Sequence, residues 1–64
     1  MESRILLTVE QAADMLSISR AHLYQILGRG EIPSVFIGRT RRIRTDAVQR
    51  FIDERTVPAA ALGS

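Results

Sequence analysis

The chain has 64 residues, enough for one domain with a small hydrophobic core. It contains no Cys and one His, which excludes disulfides and argues strongly against a zinc site. Hydrophobic residues make up 45% of the sequence and charged residues 25%, a balance typical of folded domains. No apolar run approaches the roughly 20 residues that span a bilayer, and residues 5–7 are too short for a signal-peptide core. We therefore expect a soluble cytoplasmic domain without a cofactor, metal, membrane contact or small-molecule ligand.

The net charge of +2 hides a strongly basic centre. All nine basic residues are Arg, and residues 20–44 contain six of them but only one acidic residue. The segments on either side, residues 1–19 and 45–64, are each net negative. Genomic base composition could explain Arg in place of Lys, but not this clustering. Because guanidinium groups bind phosphates and guanine edges bidentately, the cluster favours a nucleic acid partner.

The first predicted helix covers residues 9–16. Thr8 and Gln11 form a capping box at its start. Its apolar stripe follows helical spacing and consists of Val9, Ala12, Ala13 and Leu16. A helix this short is not stable alone, so we expect tertiary packing to hold it.

The second predicted helix covers residues 20–28. Ser19 caps its start, and Gly28 and Gly30 end it because Gly tolerates the left-handed backbone of a helix C-cap. Its buried stripe consists of Leu23, Ile26 and Leu27. Between the two helices, Ser17 suits a turn and Ile18 suits a buried apolar plug, while Ala13 allows the helices to approach closely. This set predicts a helix-turn-helix rather than a generic helical hairpin in a small bundle.

A hairpin and a third helix follow. Residues 32–37 read as an extended strand, residues 38–40 as a turn and residues 41–44 as a returning strand. Thr45 is predicted to cap the third helix, with Asp46 favourably placed at its N-terminus. The apolar face of that helix consists of Ala47, Val48, Phe51 and Ile52. The predicted fold class is therefore mainly α with a small β-hairpin, a winged helix-turn-helix of three helices and a two-stranded wing.

We divide the chain into an N-terminal extension at residues 1–6, this domain at residues 7–55, and a flexible C-terminal tail at residues 56–64. The tail is expected to be frayed or to form a short Ala helix used against a partner.

The second helix leaves one face free for recognition. Helical geometry places Ala21 and Gln25 opposite the buried stripe, with His22 and Tyr24 beside them. The candidate DNA-binding residues of this helix are Ser19, Arg20, Ala21, His22, Tyr24 and Gln25. Arg20 suits guanine and Gln25 suits adenine in a major groove. The plainer alternatives are that Tyr24 packs half-buried, and that His22 and Gln25 are simply solvated.

The hairpin adds a second basic element. Arg39, Arg41 and Arg42 suit a wing lying along phosphates or in a minor groove, although a charged edge strand that prevents aggregation is the alternative. Arg44 and Arg29 are expected to be structural and to pair with Asp46 or Glu31.

Four segments together resemble the excisionase-type helix-turn-helix family, small winged-helix domains related to the MerR-type DNA-binding domain. These are residues 7–13, 18–20, 30–33 and 37–43. The resemblance covers about residues 6–54. It implies that the second helix enters the major groove, and that a wing formed by Arg39, Thr40, Arg41 and Arg42 contacts the adjacent backbone or minor groove.

Phe36 departs from this family, whose members often have a basic residue there. Strand alternation places Val35 and Ile37 on one face and Phe36 on the other. Two alternatives are open for Phe36, namely packing on the third helix or contacting another protein chain.

The resemblance implies sequence-specific double-stranded DNA binding by a non-enzymatic protein. The preferred role is an excisionase, a recombination directionality factor that bends attachment-site DNA and assists a site-specific integrase. The protein is expected to self-associate on DNA. Its expected location is near the nucleoid of a bacterial cell or phage-infected host. The alternative is a small stand-alone MerR-like transcriptional regulator, and a more distant one is an RNA- or protein-binding module. An enzyme is disfavoured because the adjacent carboxylates Asp53 and Glu54 point about 100° apart on a helix.

Overall fold

A computed structural model describes residues 5–62. Its elements are β1 (Leu6–Leu7), α1 (Val9–Leu16), α2 (Arg20–Gly28), β2 (Val35–Ile37), β3 (Thr40–Arg44), α3 (Thr45–Arg55) and a 3₁₀ helix (Ala59–Leu62). The predicted fold class, with three helices and a two-stranded wing, is confirmed. The 3₁₀ helix lies within the segment for which fraying and a short Ala helix were the alternatives.

Local side-chain caps determine where α1 and α2 begin. The Thr8 hydroxyl accepts a hydrogen bond from the backbone N–H of Gln11 at 3.0 Å, and the Gln11 side chain accepts one from the N–H of Thr8 at 3.0 Å. The Ser19 hydroxyl accepts a hydrogen bond from the N–H of His22 at 3.0 Å. Both predicted caps are therefore confirmed, and the cap at Ser19 places Arg20 in the first turn of α2.

The turn between α1 and α2 depends on a left-handed Ser17, with φ 57° and ψ 39°. The N–H of Ile18 donates to the carbonyl of Ala13 at 3.0 Å, which ends α1 and directs Ile18 towards the core. A turn at Ser17 was predicted, but its backbone conformation was not. Within residues 5–62, Ser17 is the one residue other than Gly with positive φ.

Ser17→Gly is expected to raise the free energy of unfolding by about 0.5–1 kcal/mol, because Gly adopts this conformation without a Cβ penalty. Thermal or urea denaturation followed by circular dichroism measures the change. Ser17→Ala is the control, because it keeps the Cβ and should give no gain. A destabilised Ser17→Gly variant would show that the left-handed conformation carries little strain.

The sheet has the order β1-β3-β2, with β3 antiparallel to both neighbours. Leu7 pairs with Ile43 across β1 and β3. This pairing was not predicted, because two residues are too few to show the apolar–polar alternation of a strand. The first wing strand is shorter than the predicted residues 32–37. Ile32 is instead buried in the core, and Pro33 cannot donate a ladder hydrogen bond.

The wing turn is also tighter than predicted. Thr40 pairs with Ile37 as the first residue of β3, so only Gly38 and Arg39 connect the strands. Gly38 has φ 62°, a conformation that a two-residue hairpin turn requires and that Gly tolerates. The shorter turn holds the two wing strands close together.

The predicted cap at Thr45 is wrong. Arg44 occupies the N-cap position of α3 without a side-chain cap, and Thr45 is the first helical residue. Both the N–H and the hydroxyl of Thr45 donate to the carbonyl of Ile5, at 2.8 and 3.2 Å. The pairing of β1 with β3 brings Ile5 to this point, and the hydroxyl therefore binds a distant backbone rather than its own helix.

The core lies where the three helices meet the sheet. Its buried members are Leu7, Val9, Ala12, Ala13, Leu23, Ile26, Leu27, Ile32, Ile43 and Val48. Leu16, Ile18, Ala47, Phe51 and Ile52 pack against them partly buried. The predicted apolar stripes of all three helices are thus confirmed. Over residues 5–62 no helix is long and apolar enough to cross a membrane.

Candidate nucleic-acid interface

The free face of α2 is open to solvent. All six candidates on it are exposed, namely Ser19, Arg20, Ala21, His22, Tyr24 and Gln25. Tyr24 is 48% exposed, a value that both groove contact and the half-buried alternative allow, so its role stays a prediction. Since Leu23 is fully buried on the opposite side, the core holds α2 with this face outward.

An open cleft of about 420 Å³ joins α2 to the wing. Arg20 and Tyr24 line it from α2, and three wing residues line it from β3, namely Thr40, Arg41 and Arg42. The N-terminal end of α1 completes it with Thr8, Val9 and Glu10. The structure therefore brings five of the predicted site residues to one concave surface.

The remaining predicted residues lie outside this cleft. Ser19 lines a neighbouring depression together with Glu10 and Arg20. Ala21, His22 and Gln25 line neither depression, and Arg39 is exposed in the wing turn. These three residues of α2 are exposed to solvent outside both depressions.

Neighbouring groups orient the cationic side chains of the wing. The Arg41 Nε donates to the Ser34 hydroxyl at 2.9 Å, and the Arg41 guanidinium lies 5.5 Å from the centre of the Phe36 ring. The Arg42 Nη1 donates to the carbonyl of Arg41 at 2.9 Å. Within residues 5–62 none of the wing arginines forms an ion pair with a carboxylate. The wing therefore presents positive charge that this part of the chain leaves unneutralised.

Arg29 and Arg44 behave differently and form the structural pairs predicted for them. Arg29 contacts Glu31 at 3.1 Å, and Arg44 donates two hydrogen bonds of 2.9 Å to the Asp46 carboxylate. These bonds, with the charge of Arg44, lower the pKa of Asp46 below its ordinary value, and Asp46 in turn raises the pKa of Arg44. Neither ion pair lines the cleft.

Phe36 does not pack on α3. Its side chain is 63% exposed, and it lies opposite Arg41 in the wing. The first of the two alternatives for Phe36 is therefore wrong, because Phe36 is exposed and is not among the hydrophobic residues that pack against the core. Contact with another protein chain stays a prediction.

Glu10 is the charged residue of the cleft that was not among the predicted site residues. Its carboxylate Oε2 accepts a hydrogen bond from Arg20 Nη1 at 2.6 Å. The two side chains are 70% and 61% exposed. Ten residues and a helix-helix turn separate the partners, so no local spacing rule pairs them. Only the folded crossing of α1 and α2 brings them together.

Comparisons with known proteins agree with this geometry. A family model described as a helix-turn-helix domain matches residues 6–56. A Saccharopolyspora erythraea protein named as a probable excisionase is 47% identical over 49 residues, which is 77% of this chain and 50% of that protein. A Mycobacterium tuberculosis protein named as a candidate antitoxin is 45% identical over 58 residues. The matched region covers 89% of this chain and 45% of the length of that relative.

A further Mycobacterium tuberculosis relative, named as a candidate DNA-binding protein, is 33% identical over 48 residues, which is 75% of this chain and 62% of the relative. The chain spans about half the length of the first two relatives. No solved structure matches it significantly. With this fold, the chain belongs to the excisionase-type helix-turn-helix family.

Proposed function

We propose that the protein binds double-stranded DNA sequence-specifically, with α2 in the major groove and the wing on the adjacent backbone or minor groove. The cleft carries this proposal, because it unites Arg20 and Tyr24 of α2 with Arg41 and Arg42 of the wing. A duplex seated over α2 can meet both elements at once. Base edges then supply specificity and phosphates supply much of the affinity.

Each exposed group on α2 has a matching partner on DNA. Arg20 can fork onto guanine and Gln25 onto adenine, and the Ala21 methyl can contact thymine. The Ser19 hydroxyl, His22 and the first backbone N–H groups of α2 lie where a phosphate approaches a helix N-terminus. Tyr24 can contribute its ring to the groove wall and its hydroxyl to a phosphate. The wing residues Arg39, Thr40, Arg41 and Arg42 complete the interface.

We propose that this binding serves site-specific recombination, in the role of an excisionase. Several copies would bind adjacent sites near an attachment site, bend the DNA and help an integrase to assemble the excisive complex. The 47% identity to a relative named as an excisionase supports this role. Bending a short site costs several kcal/mol, roughly 1–6 by elastic estimates, which multiple sets of phosphate contacts can offset. The role is architectural and needs no catalytic residue of this chain.

Transcriptional regulation is the second candidate. One relative favours this role, because it shares the domain and its name gives DNA binding without recombination. Both candidates require the same interface on this chain. They differ in the partner that acts after DNA is bound.

The decisive experiment compares two DNA contexts. Gel-shift titrations with an attachment-site duplex, a promoter duplex, random duplex, single-stranded DNA and RNA measure the preference. Circular permutation of the attachment site then measures bending, with and without a site-specific integrase that acts on the same site. Tight binding and bending of the attachment site, with stimulated excision, support the excisionase role. Preference for the promoter would favour a regulator, and equal binding to RNA would overturn both.

Arg41→Gln tests the wing. We expect affinity for specific and random duplex to fall alike, and the slope of log K against log salt to decrease by about 0.9, the value for one phosphate contact. Gln keeps a donor for Ser34 while removing the charge. Arg50→Gln, at an exposed position of α3 outside the cleft, removes the same charge and should leave the slope unchanged. An unaltered slope for Arg41→Gln would remove Arg41 from the interface.

A further inference from the structure

A carboxylate lies inside a surface that is otherwise suited to phosphates. Glu10 lines the cleft beside Arg20, Arg41 and Arg42, and it also lines the neighbouring depression with Ser19. A negative charge here repels the DNA backbone and lowers the gain from the surrounding arginines. Glu10 is therefore unfavourable for binding the DNA backbone, unless it contributes to DNA recognition in another way.

The Glu10–Arg20 pair contributes little to holding the fold together. Both side chains are mostly exposed, and exposed ion pairs have small effects on stability because water and salt screen them. Their hydrogen bond uses a single nitrogen, Arg20 Nη1, at 2.6 Å. Within residues 5–62 the Arg20 Nε and Nη2 make no hydrogen bond. The pair therefore holds the Nη1 atom of Arg20 in place and leaves its Nε and Nη2 free to donate hydrogen bonds to a ligand.

That geometry matches the recognition of guanine. A guanidinium needs two donors for guanine O6 and N7, and a long Arg side chain loses rotamer freedom when it is fixed there. A carboxylate that holds Nη1 in advance reduces this loss. It also disfavours contacts of Arg20 with a phosphate, because the neighbouring carboxylate repels the phosphate.

We propose that Glu10 is a specificity-determining positioning residue that acts through Arg20. It orients the guanidinium for a guanine edge and weakens binding to non-cognate duplex by its charge. This inference rests on the proposed function, in which α2 reads the major groove. It adds that the N-terminal end of α1 controls how α2 discriminates between sequences.

Glu10→Gln is the test, because it removes the charge and keeps the size of the side chain. The probes are a duplex selected by the wild-type protein from a random-sequence library, the same duplex with each guanine replaced in turn, and a random duplex. We expect affinity for random duplex to rise about threefold, and the ratio of selected to random affinity to fall about tenfold. The preference for guanine at one position should weaken most.

Two controls separate positioning from general charge and from folding. Glu54→Gln makes the same charge change at an exposed residue of α3 outside both depressions, and should leave the ratio unchanged. In an Arg20→Ala background, Glu10→Gln should no longer alter the guanine preference. Circular dichroism and the midpoint of thermal unfolding report whether Glu10→Gln remains folded. A purely structural pair would shift that midpoint without changing base preference.

The outcomes distinguish this inference from the proposed function. If the wild-type protein enriches no sequence from the library, and binds every duplex recovered from it with the same affinity as random duplex, sequence-specific binding itself is refuted. If wild-type protein selects a guanine-containing site but folded Glu10→Gln keeps the same ratio and guanine preference, only the role of Glu10 is refuted. An equal change in the Arg20→Ala background would show that Glu10 acts by charge alone.

Discussion

Replacing Arg20 by Ala is expected to lower affinity for a selected duplex by about 5- to 150-fold, the effect of losing one bidentate contact with guanine. Affinity for random duplex should fall only a few-fold, because there the loss is that of one charge near phosphates. The physical reason is that Arg20 is exposed in the first turn of α2, facing the cleft shared with the wing. Fluorescence anisotropy titrations with the two duplexes measure both losses.

Arg20→Lys is the matched variant that separates charge from geometry. Lys keeps the positive charge but has no planar fork, so the salt dependence should persist while base discrimination falls. Arg50→Ala, which removes a charge outside the cleft, should change both affinities little. Equal losses of Arg20→Ala on selected and random duplex would show that Arg20 contacts phosphate rather than a base.

The sequence was sufficient to predict those features of the candidate interface that depend on near neighbours. The caps at Thr8 and Ser19 each join residues three positions apart, so the pattern of side chains determines them. The apolar stripe of α2 follows the helical period, and its opposite face is therefore exposed as expected. The pairs at Arg29 and Arg44 span two residues and were predictable for the same reason.

Features that depend on distant parts of the chain were missed. The hydroxyl of Thr45 binds the carbonyl of Ile5, 40 positions away, and so does not cap α3. The Glu10–Arg20 contact likewise depends on the crossing of α1 and α2. The two strand residues of β1 are too few to show a pattern, although their pairing with β3 completes the sheet. In each case the tertiary position of a second segment selects the partner.

The proposed DNA interface and the core lie on opposite faces of the same short helix. Arg20 and Tyr24 are exposed on one side of α2, while Leu23, Ile26 and Leu27 are buried on the other. A nine-residue helix is not stable by itself, so packing of the buried face must stabilise the helix and hold its exposed face in place. A mutation in the core is therefore expected to affect DNA binding through folding alone.

Leu23→Ala is expected to lower the free energy of unfolding by about 2–5 kcal/mol, from lost apolar burial and the cavity left behind. Leu23 is fully buried, and a domain of this size has a total stability of only about 3–5 kcal/mol, so much of the variant should be unfolded at 25 °C. Thermal and urea denaturation monitored by circular dichroism measure this loss.

Met15→Ala is the matched control, because Met15 is 47% exposed on α1 and its truncation should change stability by no more than about 0.5 kcal/mol. DNA affinity of Leu23→Ala should fall in proportion to the unfolded fraction and recover in a stabilising osmolyte, which favours the compact state. Because Leu23 faces away from the cleft, the recovered protein should keep the sequence preference of the wild type. A fully folded Leu23→Ala protein with altered preference would show instead that the core tunes how α2 is presented to DNA.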